Sequence, residues 1–169
     1  MGTSVDESVR ALLEGELEQY PERTAVLDEQ GWNAFGELVG SAFHRAVGQR
    51  FLPGQDRAEI AEFVEEAGRP YVGTPVEIDS ASGEALVHSV LGDTSTVADV
   101  LERFDEPDLA RIELVLLRRL IADAGLTGDA FEKFLEDSTS DARPWTGQDA
   151  PGSAEGKPAA TAEDASAAG

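Results

Sequence analysis

The 169-residue chain contains no cysteine. Disulfides, thiolate nucleophiles, cysteine zinc sites and cysteine-ligated iron–sulfur clusters are therefore excluded. Lysine is nearly absent as well: Lys133 and Lys157 are the only two, so arginine carries most of the positive charge. Thirteen basic residues face 34 acidic ones, which sets the formal net charge at −21. A chain this acidic repels nucleic-acid phosphates and anionic lipid surfaces, so direct binding to either is not expected. Long apolar runs are missing too. The longest is Leu114 to Leu117, whereas a membrane helix needs ~20 residues. Acids stand near the N-terminus where a secretory signal has a basic start, and Asp6 stands where a myristoylation site has Ser or Thr. A cytoplasmic location is expected on those grounds.

What is present divides the chain in two. Residues 139–169 consist mainly of Ala, Gly, Pro, Ser, Thr, Asp and Glu, with Trp145 as the one aromatic. Such residues bury too little surface to offset the entropy of ordering them, so this stretch is expected to be a disordered acidic tail. It holds five acids and two bases, which leaves −18 of the −21 on residues 1–138. That portion is expected to form a single all-α domain, a compact bundle of six to seven helices.

The helices follow from apolar spacing and stop signals. Ser4 and Glu7 fit a capping box ahead of Val5, Val9, Leu12, Leu13 and Leu17, with Pro21 as the terminator. Trp32, Phe35, Val39, Ala42, Phe43 and Ala46 share one face of a longer helix that Pro53-Gly54 breaks. Residues 56–68 form a third helix stopped by Gly68. Residues 69–79 read as an irregular connector, or alternatively as a short strand paired with residues 24–28. A fourth helix spans about 80–91. A fifth, about 95–104, carries Val97, Val100, Leu101 and Phe104 inward. The sixth, about 107–124 with Asp105 as N-cap, has the widest apolar arc and is expected to be central. A short last helix buries Phe131, Phe134 and Leu135.

Candidate chemistry is sparse. Asn33, Glu37, Gly40, His44 and Gly48 form a stripe beside the apolar face of the second predicted helix, bordered by Gly36. It reads either as a glycine-floored groove with a Glu–His pair, or as a close-packing surface with His44 at its rim. Glu84 and His88 are at i, i+4 and able to touch. Neither histidine has the spacing of a di-iron, zincin or EF-hand site, and no phosphate loop or nucleophile elbow occurs. No cofactor, metal or catalysis is expected. Residues 20–28 with residues 35–38 resemble the opening strand and helix of acyl-adenylating enzymes. The glycine-rich loop and catalytic lysine of that family have no counterpart, so nothing of its activity is expected here.

Two acidic stripes stand out: Glu7, Glu14 and Glu18 on the first helix, and Glu59, Glu62 and Glu66 on the third. Arg111, Arg118 and Arg119 flank the central arc and are expected to pair with acids of neighbouring helices, or together to bind one carboxylate or phosphate. Trp145 reads as an anchor for a partner or for the domain itself. The leading expectation is a non-catalytic adaptor or accessory module that presents an acidic helical surface to a protein partner with a basic face. The first alternative is an inhibitor of a basic protein, a nucleic-acid mimic or antitoxin. The second is a small-molecule binder or enzyme using the His44/Glu37 groove.

Overall fold

Aspartates start most of the longer helices. The computed structural model describes residues 5–15 and 17–142. Asp28 opens α3 (Glu29–Arg50) by accepting the Gly31 amide at 2.7 Å. Asp56 does the same for α4 (Arg57–Gly68) through the Ala58 amide at 2.9 Å. Asp79 caps α5 (Ser80–Val90) and Asp105 caps α7 (Glu106–Ala124), each with a 3.1 Å bond to a first-turn amide. A carboxylate there satisfies an orphan donor and meets the positive end of the helix dipole. Part of the chain's acidity thus serves to start helices.

The remaining described helices are α1 (Val5–Glu14), α2 (Tyr20–Thr24), α6 (Val97–Arg103) and α8 (Gly128–Ala142), with 3-10 turns at Leu17–Gln19 and Arg69–Tyr71. Among the described residues the fold is all-α, with eight helices and no strand. The helix beyond the expected six to seven is α2. Pro21 does not end a segment there; it sits in the first turn of α2, where its missing amide costs nothing. The alternative of a strand at residues 24–28 paired with 69–79, and the opening strand implied by the acyl-adenylating resemblance, are therefore overturned.

One apolar core runs through all of this. At its centre is α7, which buries eight side chains from Ala110 to Ile121 and makes its most extensive packing with α3. Helix α8 covers the next largest share of α3. Gly125, at φ 68°, closes α7: its amide bonds back to Ala122, and the Leu126 amide bonds back to Ile121. Tyr20, Trp32 and Phe35 form an aromatic cluster with ring centroids 5.5–6.4 Å apart. The Tyr20 hydroxyl donates to the Pro107 carbonyl at 2.5 Å, pinning α2 to the start of α7. Burial pushes the Tyr20 phenol above its ordinary pKa.

Two further expectations change. Leu101, expected inward, is 54% exposed, because α6 is only two turns long and buries Val97 and Val100 instead. Glu18 does not continue the first helix; it lies in the 3-10 turn beyond Gly15. Helix α8 remains helical to Ala142. Ser4, residues 143–169 with most of the expected tail, and Trp145 lie outside the described residues. No helix among the described residues is long and apolar enough to cross a membrane.

Candidate functional site

A groove of about 880 Å³ lies between α3 and the first half of α7. Four members of the predicted stripe line it: Glu37, Gly40, His44 and Gly48. They line it together because positions three and four apart stack on one helix face. Asn33, the fifth member, is exposed and does not contribute to the lining. His44 is exposed and Glu37 half-buried, so neither is packed dry against a neighbouring helix. Gly36, Ser41, Arg45 and Gln49 complete the α3 side.

The other wall is not legible in the sequence. It is Glu106, Leu109, Ala110 and Glu113, all from α7. Glycine accounts for their fit. A Cβ on Gly36 would lie 2.8 Å from a Glu106 carboxylate oxygen, so the missing side chain is what admits that carboxylate. At Gly40 a Cβ would sit 3.9 Å from Glu113 Oε1, an ordinary contact, and at Gly48 it would meet nothing within 4 Å. Of these three glycines, Gly36 alone has a neighbour closer than ordinary contact, and that neighbour is a side chain rather than a helix backbone.

Glu113 is the residue whose chemistry departs furthest from the ordinary. It occupies a partly accessible position on the central helix and faces the groove. Among the described residues it takes no hydrogen bond and no ion pair. Enclosure by protein, with no compensating donor, pushes its carboxyl up to about 8. It therefore holds a proton at neutral pH when the groove is empty. Ser41, the hydroxyl in the lining, donates to the Ser138 carbonyl on α8 at 2.8 Å rather than to a base. The lining thus carries three carboxyl side chains, those of Glu37, Glu106 and Glu113, together with His44 and Arg45. The clue in the sequence is a lone acid between Ile112 and Leu114, inside the widest apolar arc of the chain.

The other predicted residues fall elsewhere. Glu7, Glu14 and Glu18 are exposed. On α4, Glu62 is exposed, Glu59 accepts from the Gln55 amide and Glu66 pairs with Arg119 at 3.3 Å. Arg119 also reaches Asp123 at 3.0 Å, and Arg111 pairs within its own helix with Asp108 at 2.6 Å. Among the described residues, Arg118 binds no carboxylate. It donates to the carbonyls of Leu12 and Gly15, closing the C-terminal end of α1. The three arginines are thus engaged separately and do not converge on one anion. His88 is buried with Nε2 unbonded and makes no hydrogen bond to Glu84. No cluster of three or more metal-ligating side chains occurs among the described residues.

Comparison of the chain with protein-family models, with curated proteins and with solved structures finds no match.

Proposed function

We propose that the α3/α7 groove binds a small organic cation, an amine carried on an apolar body, without turning it over. The observation that carries this reading is Glu113: a carboxyl with no hydrogen-bond partner among the described residues, set in the wall of a groove of about 880 Å³. The groove's volume falls within the roughly 300–1,000 Å³ typical of small-molecule sites. Leu109 and Ala110 offer an apolar wall, and Glu37 and Glu106 add two further carboxyl groups to the lining. An ammonium group seated there supplies the donor that Glu113 lacks, and the carboxyl ionises as it does so. Binding near neutral pH then releases a proton to solvent.

The adaptor reading rests on the exposure of Glu7, Glu14, Glu18 and Glu62. Exposed acids are the ordinary state of a solvated helix face, and Glu59 and Glu66 of the same stripes are already engaged. The groove is thus the better-supported site.

Calorimetric titration of the full chain with phenethylamine and tryptamine, beside the neutral phenethyl alcohol, tests the proposal. Both amines are expected to bind and the alcohol not to bind. Affinity should rise as pH increases from 6.5 toward 8.5, because less work is needed to ionise Glu113. Glu113→Gln should weaken binding by about tenfold or more, as expected for loss of a charge-assisted bond of at least ~1.4 kcal/mol. Equal binding of amine and alcohol, or an unaffected Glu113→Gln variant, would overturn it.

A further inference from the structure

The α7 wall of the groove alternates its chemistry along one face. Glu106, Leu109, Ala110 and Glu113 stand at i, i+3, i+4 and i+7, positions that stack on the same side of a helix. The wall therefore runs carboxyl, apolar, carboxyl. Along the α7 axis the two glutamates are about 10 Å apart, at ~1.5 Å per residue. Their carboxyls reach α3 at successive turns. Glu106 Oε2 lies 2.8 Å from where a Cβ on Gly36 would stand, and Glu113 Oε1 lies 3.9 Å from the same point on Gly40. Residues four apart on a helix hold their Cβ positions roughly 6 Å apart. The spacing on α7 and the spacing on α3 together separate the two carboxyl groups by about 6–10 Å.

Among the described residues neither Glu106 nor Glu113 takes a hydrogen bond or an ion pair. A single ammonium group seated at Glu113 leaves Glu106 without a partner. We propose that the ligand of the α3/α7 groove is an α,ω-diamine, with one ammonium at Glu113, the other at Glu106 and the methylene spacer along Leu109 and Ala110. The diamine is a special case of the amine proposed above and rests on that reading: its spacer is the apolar body, and a second cation stands at the far end. With staggered torsions, an extended chain of about four to six methylenes covers the interval. A shorter diamine reaches one carboxyl only, and a longer one has to fold back to bring both ends in. Gly36 serves this arrangement through its missing side chain, since a Cβ there would drive the Glu106 carboxylate from its place.

Calorimetric titration of the full chain at neutral pH and about 0.15 M NaCl, where exposed charges more than ~8 Å apart are screened, tests the assignment. The ligands are propane-1,3-diamine, butane-1,4-diamine, hexane-1,6-diamine and decane-1,10-diamine, beside phenethylamine. Affinity is expected to peak at butane or hexane, about fivefold above the shortest and the longest. All four diamines carry two charges, so general screening of an acidic surface would treat them alike. Glu106 is exposed and the α7 cap is made by Asp105, so Glu106→Gln leaves the fold intact. That variant is expected to weaken the best diamine about fivefold more than it weakens phenethylamine, whereas Glu113→Gln weakens both. An affinity that is flat with length, or that rises steadily with it, would overturn the diamine. Equal losses of diamine and phenethylamine in Glu106→Gln would overturn it too, and phenethylamine binding would then leave the broader amine reading standing. A peaked series without phenethylamine binding would support the diamine and sink the single-amine ligands instead.

Discussion

Glu113 sits between Ile112 and Leu114, both fully buried, on the helix that organises the core. Its raised pKa makes it a stability sensor of a definite sign. The folded chain keeps a proton up to about pH 8, whereas the unfolded chain releases it near the ordinary 4.5. A group raised in this way contributes its full stability below 4.5 and loses it progressively as pH rises through about 8. Glu113→Gln removes the titration and keeps the shape. The variant is expected to match the parent in urea denaturation at pH 5 and to be the more stable at pH 9, by on the order of a few kcal/mol. A difference between the two proteins that stays constant from pH 5 to 9 would mean that Glu113 titrates normally. Ionised Asp79 and Asp93 hold lowered values through their Ser82 and Ser95 hydrogen bonds, and so act only in acid. They are common to both proteins and cancel in the comparison.

At the scale of the helices, two glycines with the same local propensity differ in what they face. Gly83 lies at the crossing of α4 and α5, where a Cβ would come within 2.9 Å of Val64 Cγ1 and 3.5 Å of Leu116 Cδ1. Val64 and Leu116 are themselves fully buried and have no room to yield. Gly83→Ala is therefore expected to cost about 1–3 kcal/mol. Gly48→Ala meets open space and is expected to stabilise by up to ~1 kcal/mol, since alanine loses less backbone entropy in a helix. Chemical denaturation of the pair checks this: effects of the same sign would show that the α4/α5 crossing is looser than its geometry indicates. The contrast also marks how far the sequence is legible. Caps such as Asp56 and Asp105, and stops such as Gly125, act on their own helix, so their chemistry is written locally. Pro21 is equally local but ambiguous, because the same residue ends one helix and starts another. The stripe from Glu37 to Gly48 is visible because a single helix presents it. Glu106 and Glu113 are not, since what brings them to that stripe is the docking of α7 on α3, some 70 residues away in sequence.

For the molecule as a whole, the question is whether −21 charges repel or are absorbed locally. Four aspartates cap helices, and ion pairs such as Arg10–Glu132 at 2.7 Å and Arg57–Asp93 at 2.5 Å tie separate elements together. Exposed pairs of this kind contribute only about 0–1 kcal/mol each, and salt weakens them. Self-repulsion among the excess acids is weakened by the same salt, because the screening length falls from about 30 Å at 0.01 M to about 3 Å at 1 M. The two effects have opposite signs, and their balance follows from the numbers of charges. With 34 acids to 13 bases, most acids have no cation to pair with, so repulsion outweighs attraction. Raising NaCl from 20 mM to 500 mM is accordingly expected to lift the melting temperature by about 3 °C, the equivalent of ~1 kcal/mol in a chain of this size. A melting temperature that falls with salt would mean that the ion pairs outweigh the repulsion. The acidic faces of α1 and α4 would then be compensated within the molecule, and a basic protein would gain little by docking on them. A rise would leave those faces carrying uncompensated charge, which cations relieve, whether salt ions or the basic side chains of a docking protein.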